Sequence, residues 1–244
     1  MKIVGIDLAW QSEANTTAIA VAQLDEEGVH ISSVQESLAG LDAIIDAIDK
    51  EDNVHGLAID APLVIKNPSG QRDCEKELSK EYGSRLASCH ASNTTLYPNS
   101  SGTVLSKYLS DNGFGHLGEP TSEKWQIECY PHPALIEILG LSKRLSYKKG
   151  KVAERKQGQV YLANYLKSLA HSNTLKLTVD GFSEQYLSEE NIRSKSGAKL
   201  KENEDSLDAI ICVYVGALYA SSVAQRTFGT IEAGYIYVPK QKCI

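Results

Sequence analysis

Three apolar runs in this chain each carry a carboxylate where a strand would end or cross a sheet. Asp7 follows Lys2–Ile6, Asp60 closes His55–Ile59, and Glu128 sits within Ile127-Glu128-Cys129-Tyr130. Acidic residues are poor strand formers, and burying an ionised carboxylate is costly unless something compensates it. Any fold for this chain has to account for all three.

The patterning around these runs predicts an α/β fold. Lys2–Trp10 is almost continuously apolar, as a central strand covered on both faces would be. A polar turn over 11–15, then Thr16–Leu24, a turn at Asp25–Gly28 and Val29–Val34, complete an antiparallel meander of three strands. Leu38, Leu41, Ile44, Ile45 and Ile48 keep helical spacing to about Asp49. A helix between strands implies a crossover, so the fourth strand, His55–Asp60, is expected parallel beside the first. Residues 65–124 look like an insertion, with a polar helical piece (Arg72–Ala87) and a long irregular stretch of the kind that forms lids or binding loops. Trp125–Tyr130 resumes as a strand, and Pro131 and Pro133 open a helix through Leu139. A helix with an apolar face at Val152, Val160, Leu162, Tyr165, Leu166 and Leu169 follows. Ser172–Glu204 is a mixed helical or loop region, Ser206–Val223 the last long helix, and Tyr235–Val238 a small edge strand. With no repeat and no break in composition, residues 1–244 read as one domain.

Composition narrows the function classes. The chain is 42% apolar and 23% charged, as globular proteins are. Its start reads as a strand rather than a secretion signal. The longest apolar stretch, Leu207–Ala220, contains Asp208 and falls short of the roughly 18 residues of a membrane span, so no membrane role is expected. Five scattered cysteines without a Cys-x-x-Cys pair suit reduced thiols in the cytoplasm and give no support to a zinc site. Net charge is −6, yet Lys143–Lys156 holds seven cations against Glu154, a segment of +6 on a remainder of −12. Such a patch can meet phosphate while the acidic body keeps the protein soluble.

Parallel first and fourth strands would place Asp7 and Asp60 side by side at their carboxyl ends, where ligands of open sheets gather. Asp205 and Asp208, expected at the start of the last helix, would share one face. Carboxylates that close raise one another's pKa unless a cation neutralises them, and an all-oxygen set favours Mg²⁺ or Mn²⁺. Plainer readings exist for single members. Asp7 could be a strand-end residue, Asp60 before Ala-Pro a turn former, and Asp205-x-x-Asp208 a capping arrangement. The basic run could be a solvated surface, and His90, His116 and His132 surface or supporting residues. Glu128, among apolar neighbours, is hardest to explain away.

The motifs Val4-Gly5-Ile6-Asp7-Leu8-Ala9-Trp10, Ala58-Ile59-Asp60-Ala61-Pro62-Leu63, Glu128-Cys129-Tyr130-Pro131-His132-Pro133-Ala134 and Ser206-Leu207-Asp208-Ala209, with the closing Gly229–Pro239, resemble the domain-of-unknown-function 429 family, regarded as predicted nucleases of the ribonuclease H-like superfamily. The resemblance implies a five-stranded mixed sheet flanked by helices, its first three strands antiparallel. It implies a metal-binding set of Asp7, Asp60 or Glu128, and Asp208 with Asp205, the last pair as in Holliday-junction resolvases. Family members commonly carry an acid where His132 stands, which argues against His132 as a ligand.

The expected activity is phosphodiester hydrolysis with two cations about 3.5–4 Å apart. Asp7 would bridge them, Asp60 or Glu128 would complete one, and Asp205 with Asp208 the other. Lys148, Arg155, Arg72 and Arg85 would neutralise substrate phosphates, and Tyr147 could stack on a base. Nucleic acid, DNA or RNA, is the expected partner, and resolvase-like relatives add a homodimer. Two other readings compete. One is a non-catalytic binding or regulatory module. The other is an actin-like phosphotransferase, suggested by Gly5-Ile6-Asp7, although the chain lacks any adjacent glycine pair and is too short for two such halves.

Overall fold

The computed structural model describes residues 1–11, 15–118, 123–179 and 181–244. The turn expected over 11–15 falls mainly on 12–14, outside the described residues. In chain order the elements are β1 (Lys2–Asp7), β2 (Thr16–Leu24), β3 (Val29–Ala39), α1 (Leu41–Asp49), β4 (Val54–Ile59), α2 (Asp73–Tyr82), α3 (Ser101–Asp111), β5 (Phe114–His116) and β6 (Lys124–Glu128). After these come α4 (Pro131–Ile138), α5 (Val152–Ser168), β7 (Leu177–Val179), α6 (Glu189–Ser194), α7 (Gly197–Ala220), β8 (Gln225–Thr230) and β9 (Gly234–Pro239).

Seven strands form one mixed, mostly parallel sheet in the order β5-β6-β4-β1-β2-β3-β7. The meander β1–β2–β3 is antiparallel, and β4 runs parallel to β1, as the patterning predicts. β6 continues parallel to β4. The expected five strands become seven because β5 and β7 extend the two edges. Each has only three residues, too few to show a two-residue alternation in sequence. The final strand does not join an edge of the sheet. It pairs with β8 in a separate hairpin and, among the described residues, meets the sheet through a backbone bridge of Cys129 to Tyr237 and through the Tyr235 hydroxyl, which donates to the Gln126 carbonyl at 3.1 Å.

Helices cover both faces, so β1 is buried on both. Ile3 belongs to the core shared with α4, α5 and α7, while Val4 and Ile6 belong to the core under α1 and α3. A third cluster joins α2 to the β8–β9 hairpin. No helix among the described residues is long and apolar enough to cross a membrane.

α7 departs from its predicted start at Ser206 and begins at Gly197. Before Ser206 it buries Asn203 and Glu204 through polar pairing with α5 in place of an apolar stripe. Asn203 Nδ2 donates to Gln159 Oε1 at 3.2 Å, Gln159 Nε2 donates to the Leu200 carbonyl at 3.1 Å, and Arg155 meets Glu204 at 3.1 Å. Asp205 and Asp208 therefore lie inside the helix, where they cap nothing. α7 rests directly on β1 at Gly5: a Cβ there would fall 2.2 Å from the Val213 nitrogen and 2.3 Å from the Ala209 carbonyl oxygen.

Candidate functional site

Strand parity decides which acids meet. Ile3 and Gly5 face α7, so alternation turns Asp7 to the same side. On β4, Ala58 faces Gly216 of α7, and Asp60 follows it onto that face. The Asp60 amide donates to the Ile6 carbonyl at 2.9 Å and holds the two strand ends level. α7 then supplies Asp208 from above. Carboxylate oxygens of Asp7, Asp60 and Asp208 lie within 4.8 Å of one another. Asp205, one turn earlier, borders the same cleft as Asp7 and interacts with it.

Glu128 does not join them. It pairs in register with Ile59, whose side chain belongs to the opposite core, so its carboxylate leaves the other face of the sheet. There Oε2 accepts from the Leu63 amide and from Arg72 Nη1, each at 2.9 Å, and Oε1 accepts from Arg72 Nη2 at 2.5 Å. Just past β6, Cys129 turns into the core on the acids' side of the sheet, and its amide donates to the Ile59 carbonyl at 3.0 Å.

The predicted phosphate-binding cations separate in the same way. Lys148 reaches the acids, 2.5 Å from Asp208 Oδ2 and 4.0 Å from Asp60 Oδ2. Arg72 is instead buried between Glu128 and Glu75. Arg85 meets Glu137 at 3.0 Å, and Arg155 is held by Glu204. Spacing alone does not distinguish an arginine that serves the core from one that faces solvent. Tyr147, expected as a base-stacking ring, is fully buried and donates from its hydroxyl to Asp208 Oδ1 at 2.6 Å. The loop bearing Tyr147 and Lys148 reaches inward because α5 has Gly158 where it crosses: a Cβ there would sit 1.9 Å from the Ser146 carbonyl oxygen. That mid-helix glycine was the readable signal for a close approach.

Two clefts meet at Asp7. One, of about 480 Å³, has Asp60, Trp10, Tyr130 and His90 beside the cations Arg144, Lys148 and Lys149. The other, of about 440 Å³, is bordered by Lys201, Glu202 and Asp205. Arg144, Lys149 and Lys201 are thus the cations added to Lys148 by the fold. His132 is buried beside the first cleft, edge-on to Tyr130 and Tyr147, and its Nδ1 has no hydrogen-bond partner among the described residues. His116 lies elsewhere, between Ser106 and Tyr235.

The electrostatics follow from crowding acids out of water. Burial pushes the Asp7 carboxyl well above the carboxylate range, against Lys148 and with help from Asp208, Asp205 and Asp60. Burial raises Asp60 to about 7, again opposed by Lys148 and assisted by Asp208 and Glu128. Burial alone would lower Lys148, but Asp208, Tyr147, Asp7 and Asp60 hold its ammonium firmly charged. Burial, and then Lys148, Arg144 and Lys149, keep His132 neutral. The site is a nest of carboxylates short of positive charge, with Lys148 at Asp208 and Lys201 at Asp205 supplying part of it.

A family model described as "Protein of unknown function (DUF429)" matches residues 5–232. No curated protein matches the chain.

Proposed function

The chain belongs to the DUF429 family, and we propose that it is a divalent-metal-dependent phosphodiester hydrolase acting on nucleic acid. The observation that carries this reading is the meeting of Asp7, Asp60 and Asp208 within 4.8 Å from three separate segments. Ligands 2.0–2.6 Å from a hard cation lie at most about 5 Å apart across it, so this all-oxygen set fits Mg²⁺ or Mn²⁺. The inner strands add support. An antiparallel β1–β3 with parallel β4 and β6 agrees with the mixed five-stranded sheet that a ribonuclease H-like resemblance implies.

Asp7, Asp60 and Asp208 would hold the cation, with Asp205 within reach of a second. A bound divalent cation supplies there the charge that activates water and stabilises the leaving oxygen. Tyr147 fixes the rotamer of Asp208. With the acids neutralised by a cation, Lys148 would be free to meet a phosphate oxygen, and Arg144 and Lys149 would extend that positive wall along the cleft.

The 2.5 Å contact of Lys148 with Asp208 also favours a second reading, a non-catalytic module whose acids carry their own counter-charge. Incubating the protein with single- and double-stranded DNA and RNA in Mg²⁺, Mn²⁺ or EDTA separates the two. Metal-dependent cleavage abolished by Asp7→Asn supports the hydrolase. Binding without cleavage under every condition supports the module.

A further inference from the structure

We propose that the acid cluster works on unpaired nucleotides, taking the phosphate from the basic cleft while the neighbouring base enters a narrow cavity between Trp10 and Tyr130. This rests on the phosphodiester reading above. The cavity, about 50 Å³, adjoins the larger cleft and shares Trp10, Asp60, His90 and Tyr130 with it. The two spaces differ in charge. Arg144, Lys148 and Lys149 line only the cleft, whereas the cavity is lined by Asp60 and by Arg72 with its partners Glu75 and Glu128, so it offers an anion no unpaired cation. An anion belongs in the cleft, and a flat uncharged ring belongs in the cavity.

Both aromatic walls are held in place before any ligand arrives. Trp10 Nε1 donates to the Asp60 carbonyl at 3.3 Å, and the indole meets Tyr97 edge-on at 5.4 Å. The Tyr130 hydroxyl donates to the Ser88 carbonyl at 3.2 Å, and its ring meets His132 at 5.7 Å. Fixed rings lose little entropy on stacking with a base. On this proposal the base enters by its edge, which must be free of a pairing partner. Because Asp60 borders both spaces, base and phosphate would be neighbours within one nucleotide.

The chain has two tryptophans, and the second, Trp125, is 6% exposed against Tyr219, so a ligand-induced change in emission reports Trp10. The test is a fluorescence titration, in EDTA and in Mg²⁺, with adenosine and uridine 5′-monophosphates, a single-stranded hexamer, ribose 5-phosphate and a blunt duplex. The nucleotides and the single strand are expected to quench Trp10, and ribose 5-phosphate and the duplex to leave it unchanged. Tyr130→Leu should weaken nucleotide binding about 5- to 150-fold, whereas Tyr130→Phe, which keeps the ring and loses only its bond to Ser88, should lose much less. Equal binding of ribose 5-phosphate, equal quenching by the duplex, or no quenching by any nucleotide overturns the proposal. Cleavage measured on the same samples keeps the two ideas apart. Abasic and duplex strands cut as fast as base-bearing single strands would sink the cavity and leave the hydrolase standing. Quenching by nucleotides with no cleavage in any metal would do the reverse.

Discussion

Replacing Arg72 by Met removes the counter-charge of two buried carboxylates at once. Arg72, Glu75 and Glu128 are 3%, 2% and 3% exposed, and the guanidinium contacts Glu75 at 2.9 Å and Glu128 at 2.9 and 2.5 Å. Deleting one partner of a buried pair costs about 3–5 kcal/mol, and two acids sharing one arginine point to the upper part of that range. At roughly 2–4 °C per kcal/mol for a chain of this size, the melting temperature should fall by about 8–20 °C. The loss should depend on pH. Burial already raises the Glu128 carboxyl against the pull of Arg72, and without Arg72 it rises further. A carboxyl raised on folding contributes stability that is complete below its unfolded value, 4.5, and is lost as pH rises through the folded one. The deficit of Arg72→Met should therefore be largest near pH 8 and shrink towards pH 5. Urea denaturation at the two pH values reads this, and adding Glu128→Gln to Arg72→Met should recover at least about 1 kcal/mol. Equal stability of native protein and Arg72→Met at both pH values would refute the assignment of Glu128 to this pair. So would a folded Glu128→Gln that loses divalent-cation binding as fully as Asp7→Asn.

The acid cluster gives its own pH dependence. With Asp60 raised from 3.8 to about 7 and Asp7 also raised, their contribution is complete below pH 3.8 and lost as pH rises through about 7. Metal-free protein should thus melt lower at pH 8 than at pH 5.5, and Mn²⁺ should stabilise it more at pH 8; a flat metal-free profile would contradict this. Lys148→Met leaves the fully buried Asp208 without its ammonium, which should cost the metal-free protein about 3–5 kcal/mol in urea. It should also tighten Mn²⁺ binding by about tenfold or more, worth about 1.4 kcal/mol, because the competing cation is gone, and calorimetry that finds weaker binding would make Lys148 a supporter of the metal instead. Gly5→Ala sets a methyl against backbone atoms of α7 that cannot turn aside, so a loss at or above the usual overpacking range of about 1–3 kcal/mol is expected. A native melting temperature for that variant would mean that α7 does not sit on β1 as described.

Much of the architecture was legible because it rests on local periodicity. The β1–β3 meander, α1 and the parallel placement of β4 followed from apolar spacing and one intervening helix. The start of α7 was hidden because Asn203 and Glu204 are buried by partners on α5, and such pairing leaves no apolar stripe. Asp7, Asp60 and Asp208 could be picked out as acids in apolar surroundings. Glu128 carried the same signal for a different cause. Whether it faces Asp60 or turns away depends on pairing with Ile59 in place of Asp60, a one-residue matter of register that single-strand patterning does not contain. The expected phosphate-binding cations divide for a related reason. Arg72 and Arg85 look like Lys148 in sequence, and only the fold supplies their Glu128 and Glu137 partners.

Manganese binding followed by electron paramagnetic resonance addresses the central claim most directly, with native protein, Asp7→Asn, Asp208→Asn and Glu128→Gln compared at equal folded concentration. Sharing of a cation by Asp7, Asp60 and Asp208 predicts saturable binding to the native protein and to Glu128→Gln, and its loss in both aspartate variants. Unchanged Mn²⁺ affinity in a folded Asp7→Asn protein would contradict it.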